Sequence, residues 1–213
     1  MDSELPPVEK QPSPPRRVPS QRRSRERVER ILAVATALVA ERGSDALRMS
    51  EVAERAGVSI GSLYQYFPDR TAIVRTLAER YNAQGLACVA AELAPVRDEA
   101  ELQGALLRVV DGYYEMFLAE PAMRDVWWAT QADRTLQDVD AADVEAHTAL
   151  LADVMARLRP RRDRAELATV ALLTMQLVAT AVRLAISLDR ARGDAVVAAF
   201  KRMLPERMLD MLG

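Results

Sequence analysis

The sequence predicts an all-α protein, a three-helix head followed by a longer helical body, about nine helices in all. Three observations lead there. Half of the residues are hydrophobic but only 5% are aromatic, and Ala, Leu, Val and Arg dominate a chain with 8 glycines in 213 positions. Ala, Leu and Arg are strong helix formers, and scarce glycine leaves few breaks. No segment alternates apolar and polar residues with strand-forming side chains throughout, whereas helix caps and breakers recur along the chain.

The elements follow in order. Residues 1–20 hold 6 of the 11 prolines, so the start is expected to be an irregular arm, taken here as 1–23. Helical periodicity begins near Arg25, with Ile31, Ala35, Leu38 and Val39 on one face and Gly43 as the stop. Ser50 is the expected N-cap of a short helix ending at Gly57. Ser59 caps the next helix, and Asp69 caps a long one that carries Ile73, Leu77 and Tyr81. The head is therefore 24–70 and the body 71–213. In the body, residues 99–119 form a helix stopped by Pro121, and a short segment, AMRDVWWAT, follows. Helices over 138–159, 163–190 and 194–212 complete the chain.

Charge is unevenly placed. Residues 1–80 carry 14 basic and 11 acidic side chains, the remainder 15 and 20, and residues 10–30 alone carry 8 and 2. A basic N-terminal segment on an acidic body suits a polyanion at one end. A merely solubilising tail is the alternative.

Several classes of chemistry are excluded. The single cysteine, Cys88, cannot form an internal disulfide or a cysteine zinc site. The single histidine, His147, is too few for a di-metal carboxylate bundle, which needs two Glu-x-x-His motifs. There is no glycine-rich phosphate loop and no arguable catalytic triad. No metal, cofactor or enzymatic activity is expected. The acidic, proline-rich start is not a secretory signal. The apolar run 168–182 is too short to span a bilayer and is cut off by Arg183. A cytoplasmic protein without membrane contact is the expectation.

The helix at 60–67 has two faces. Ile60, Leu63, Tyr66 and Phe67 fall within about 60° of one another on a helical wheel and form the inner face. Gly61, Ser62, Tyr64 and Gln65 form an outer face that is small, polar and uncharged, with one ring at its edge. Small residues let a backbone approach the DNA major groove, and hydroxyl and amide groups reach base edges there. A core helix with a bare solvent face is the alternative. The preceding helix and the turn Gly57-Val58-Ser59 complete a helix-turn-helix plan.

RERVERILAVATALVAERG followed by MSEVAERAGVSIGSLYQYFPDRTAIV resembles the N-terminal domain of the tetracycline-repressor (TetR) family over residues 24–75. The matching positions are Gly43, Val52-Ala53, Ala56-Gly57-Val58-Ser59, Gly61, Leu63-Tyr64 and Tyr66-Phe67. The family usually has Lys where this chain has Arg70, which keeps the charge. The resemblance implies a dimeric transcription regulator, most often a repressor, which binds a (pseudo)palindromic double-stranded DNA operator and is released by a small-molecule effector. It places Ser59, Ile60, Gly61, Ser62 and Gln65 at bases and Ser50, Tyr64, Tyr66 and Arg70 on the backbone. Arg16, Arg17, Arg22, Arg23, Arg25 and Arg27 would add phosphate contacts from the arm.

The body then has two expected roles. Leu167, Val170, Thr174, Leu177, Ala181, Leu184 and Leu188 make one stripe, and the last helix adds Val196, Val197, Phe200, Leu204, Met208 and Leu212. The two helices, 163–190 and 194–212, would pair with their twofold mates as a homodimer; facing their own subunit is the alternative. Tyr113, Phe117, Trp127, Trp128, His147, Met175 and Gln176 are the expected pocket residues, against ordinary core packing. Adjacent Trp127 and Trp128 cannot both face one way. A helical adaptor whose helix-turn-helix no longer binds specific DNA is the rival function.

Overall fold

The computed structural model describes residues 18–204, in which no strand occurs. Nine α-helices follow one another among the described residues: α1 (Val18–Arg42), α2 (Met49–Ala56), α3 (Ile60–Tyr66), α4 (Arg70–Leu93), α5 (Glu99–Ala119), α6 (Pro121–Ala132), α7 (Gln137–Leu158), α8 (Arg164–Ile186) and α9 (Arg190–Met203).

Short-range chemistry sets most of the ends. Asp69, Asp98, Asp163 and Asp189 each stand extended before a helix, and each carboxylate accepts from an amide in the first turn. Gly43 and Gly57 have φ of 82° and 63°, which a side chain would resist, and they close α1 and α2. Pro121 opens α6, where its missing N–H costs nothing.

Several ends differ from expectation: α8 stops at Ile186 rather than 190, and α9 starts at Arg190 rather than 194, capped by Asp189. Ser50 does not cap α2; the helix starts at Met49 behind Arg48, and Ser50 lies exposed inside the first turn. α1 begins at Val18, so Arg22, Arg23, Arg25 and Arg27 stand on a helix rather than in an irregular arm. Residues 21–30 bury almost nothing, so they leave no apolar period to read. Arg16 and Arg17 lie outside the described residues. α9 ends at Met203, and Met208 and Leu212 likewise fall outside.

The head does not have a core of its own. Ile31, Leu32, Leu38, Val52, Ala53, Leu63 and Phe67 pack with Ile73, Leu77 and Tyr81 of α4, and Ala122, Met123 and Val126 of α6 complete the same cluster. A second core joins α5, α7, α8 and α9 through Leu106, Val109, Leu151, Met155, Leu167, Val178 and Val197. α4 is tied to both sides. Arg80 reaches Glu29 of α1 at 2.7 and 2.5 Å, and Arg75 donates to the Asp138 carboxylate at 2.7 and 2.9 Å and to the Thr135 carbonyl.

α8 divides differently from the expected stripe. Leu167, Thr174 and Ala181 are buried in their own subunit, together with Ala171, Val178 and Ala185. Leu173, Leu177 and Leu184 face outward, and Leu188 lies in the turn to α9. The helix is apolar nearly all round, so its periodicity does not choose the inner face.

α9 lies close against α8 at Gly193. A Cβ there would sit 2.5 Å from the Tyr114 hydroxyl and 2.6 Å from the Ala185 carbonyl oxygen. The tyrosine can swing away, but the carbonyl belongs to the α8 backbone. Gly193→Ala is therefore expected to cost about 2 kcal/mol and to lower the melting temperature by roughly 4–8 °C. An unchanged melting curve would mean that α9 slides freely on α8.

Candidate functional site

The first candidate surface is α3. Ser59 caps it, its hydroxyl accepting from the Ser62 amide at 3.1 Å. Leu63 and Phe67 point into the head core, while Gly61 and Gln65 are exposed and Tyr64 is 49% exposed. Ile60 corrects the helical-wheel expectation: it is 45% exposed, not inward. It is the first residue of a seven-residue helix and projects beyond the end of the core that Leu63 and Phe67 fill. Tyr66 is half-buried against α1, where its hydroxyl accepts from Ser24 Oγ at 3.1 Å. Beside it, Arg27 donates to Ser62 Oγ at 3.3 Å. These two contacts seat the basic start of α1 alongside α3, with Arg22, Arg23 and Arg25 exposed around it. Arg70 turns to the α1–α2 connection, donating to the carbonyls of Ser44 at 3.3 Å and Asp45 at 2.8 Å.

The second is a cavity of about 160 Å³ lined by α4, α5, α6, α7 and α8. Tyr113, Phe117, Trp127, His147, Met175 and Gln176 all line it. Trp128 does not, which corrects the expectation for that residue. It is 47% exposed and borders an outer groove with Ser44, Asp45, Arg70 and Asp133. One step along a helix turns a side chain by about 100°, so α6 sends one indole inward and the next outward.

Polar groups in the cavity are arranged in a chain. The His147 ring N–H at Nδ1 donates to the Asp143 carbonyl at 2.8 Å, and its Nε2 pairs with the Tyr113 hydroxyl at 2.5 Å. With a neutral ring, Nε2 accepts from the phenol. Burial opposes charge on the ring, but the Asp143 carboxylate, 3.3 Å from Nδ1, together with the backbone of Asp143 and Gly85, outweighs it and holds the histidine above its ordinary value. Burial, and then Asp143, push the Tyr113 phenol far up, so it remains a neutral hydroxyl. Gly85 makes room for this pair: a Cβ there would lie 2.8 Å from the Tyr113 hydroxyl oxygen. Arg183 lies over the Trp127 ring, 4.7 Å from its centre, and Asp140 of α7 lines the same cavity. No cluster of His, Cys, Asp and Glu among the described residues is arranged to hold a metal ion.

Comparison with known proteins decides what kind of chain this is. Residues 31–77 match the family described as bacterial regulatory proteins, tetR family, and residues 78–212 match the tetracyclin repressor-like C-terminal domain. The chain belongs to the TetR family.

This TetR-family chain is 43% identical over 65 residues to the HTH-type transcriptional repressor KstR of Rhodococcus jostii, a match that covers 29% of the chain and 31% of that relative. The curated relatives are thus matched over about a third of their length or less, 31% and 22% in the first two. Solved structures match over far more. A TetR-family regulator from Streptomyces coelicolor has 29% identity and a TM-score of 0.63, covering 84% of this chain and 95% of its own. FadR from Bacillus subtilis, solved with stearoyl-CoA, is 15% identical with a TM-score of 0.61, covering 81% of this chain and 96% of its own. At that identity the likeness is one of fold alone.

Sequence reasoning missed Tyr81, Asn82, Asp143 and Arg183 as cavity residues. Only Arg183 left a signal, as a charge set into the most apolar helix of the TetR-type body.

Proposed function

We propose that the protein is a dimeric transcription repressor that binds a (pseudo)palindromic operator through α3 and is released when a small molecule occupies the cavity. One observation carries the release mechanism. Ala78, Tyr81, Met123 and Val126 line the cavity and also belong to the apolar cluster under the head. A ligand that moves these side chains acts on packing that the heads rest on. Two heads must meet half-sites about one DNA turn apart, or a multiple of it, so a small rotation of each spoils the fit. The effector needs only to prefer the body shape with the wrong head separation.

In this reading Ile60, Gly61, Ser62 and Gln65 approach bases, with Ser59 at the entrance. Tyr64 and Ser50 meet the DNA backbone, and Arg27 with its neighbours on α1 supplies phosphate charge. Tyr66 and Arg70 serve mainly to hold α3 and the α1–α2 connection in place, as their bonds to Ser24, Ser44 and Asp45 favour. Dimerisation uses the outward leucines of α8.

The test is a titration of the full chain on duplexes from its own upstream region, at several salt concentrations. Binding should exceed that to random DNA and weaken as salt rises, and Tyr64→Ala should lower it by about tenfold or more. Equal, weak binding to every duplex, unaltered by the substitution, would favour the adaptor reading instead.

A further inference from the structure

The cavity also carries information about what it accepts, given the effector role just proposed. Its size is the first constraint. About 160 Å³ is close to the roughly 150 Å³ of an apolar protein cavity that holds benzene. Phe117, Met123, Val126, Trp127, Met175 and Val182 supply apolar walls. One ring or a short branched chain fits such a space.

The polar groups give the second constraint. Tyr113, His147 and Asp143 already satisfy one another, as the distances above show. Arg183 does not have such a partner set. Among the described residues it donates to Thr180 Oγ1 at 2.7 Å and stacks on Trp127, and it enters no ion pair. A guanidinium has five donors in a plane, and stacking on an indole leaves its edge available for a two-pronged bond to a carboxylate. Burial holds its proton affinity below the ordinary value, with Asp140 opposing that shift from beyond ion-pair distance. Asp140 lines the same cavity and repels a second negative charge. A ligand cation is disfavoured because Arg183 already occupies the face of Trp127 and would repel it.

We propose that the effector is a small monocarboxylate with a single-ring apolar body, its ring among Phe117, Val126 and Met175 and its carboxylate on Arg183. The Tyr113–His147 pair then closes the inner end and accommodates a ring hydroxyl where one is present.

Calorimetric titration of the full chain with benzoate, salicylate and phenylacetate, each beside its neutral amide, tests this. The acids should bind about tenfold or more tightly than the amides. Arg183→Gln should remove that preference, lowering acid affinity about tenfold or more and amide affinity far less, and Arg183→Lys should keep part of it. Asp140→Asn should tighten the acids several-fold. Equal affinity for acid and amide, a preference that survives Arg183→Gln, tighter binding of benzylamine, or no binding by any of the acids would overturn the proposal. Its failure is separable from failure of the repressor reading. Acids that bind through Arg183 without loosening DNA would overturn release by the cavity, and a protein that binds DNA specifically but binds none of the acids would overturn only the ligand class.

Discussion

Leu177→Glu combined with Leu184→Glu is expected to leave a folded monomer whose operator affinity has dropped by roughly 10²–10⁴-fold. Leu173, Leu177 and Leu184 are 57%, 56% and 52% exposed. They stand four and then seven residues apart, on one outward face of α8. The helix carries so much apolar surface that, at 23 residues and mean hydropathy 1.7, it is long and apolar enough by composition to cross a membrane. Its inner face is spent on the body core through Ala171, Val178 and Ala185. The outer face is left to explain the rest, and a twofold mate presenting the same leucines would cover it. Two glutamates on that face meet two more across the axis, four like charges in all, which disfavours pairing without touching the subunit's core. One head alone then loses the high local concentration that its tethered twin provides. Sedimentation would report the monomer and the duplex titration the lost affinity. A double variant that still sediments as a dimer would place the interface on another face.

The head was legible because its signals are local. Ser59 and Asp69 cap the helices they precede, and Gly43 and Gly57 occupy the positive φ that only glycine takes readily. The start of α1 was not, since a helix without a buried face has no period to show. The direction of Ile60 depended on where the core ends, which a helical wheel ignores. In the cavity, the clustered aromatics and the lone histidine stood out as unusual residues. Which indole of the Trp127-Trp128 pair turns inward was set by how α6 lies across α1 and α4. That Arg183 joins Trp127 from a helix more than fifty positions further on depends on tertiary packing, and one chain's periodicity is silent about it. The same holds for α8, where apolar residues all round hide which leucines face out.

Gly61→Leu should make the protein more stable and unable to hold its operator. A Cβ at Gly61 meets nothing within 4 Å, and its φ is not positive. Nothing in the fold therefore asks for glycine there. Glycine inside a helix costs about 1 kcal/mol relative to good helix formers, so leucine should raise the melting temperature by roughly 2–4 °C. The surface around it explains the residue if α3 lies in a groove. With Ile60 and Tyr64 projecting on either side, the bare backbone at Gly61 is where base edges can come nearest, and an isobutyl group would hold the helix off the DNA. A loss of about a hundredfold or more in operator affinity is expected, since displacing the helix weakens several contacts together. Gly57→Ala supplies the contrast: there φ is 63°, so the variant should lose roughly 1 kcal/mol of stability through backbone strain. Opposite movements of melting temperature and DNA affinity in Gly61→Leu cannot come from damage to the fold. If that variant bound its operator as tightly as the parent, α3 would not be entering a groove, and its bare outer face would be no more than solvent-exposed helix.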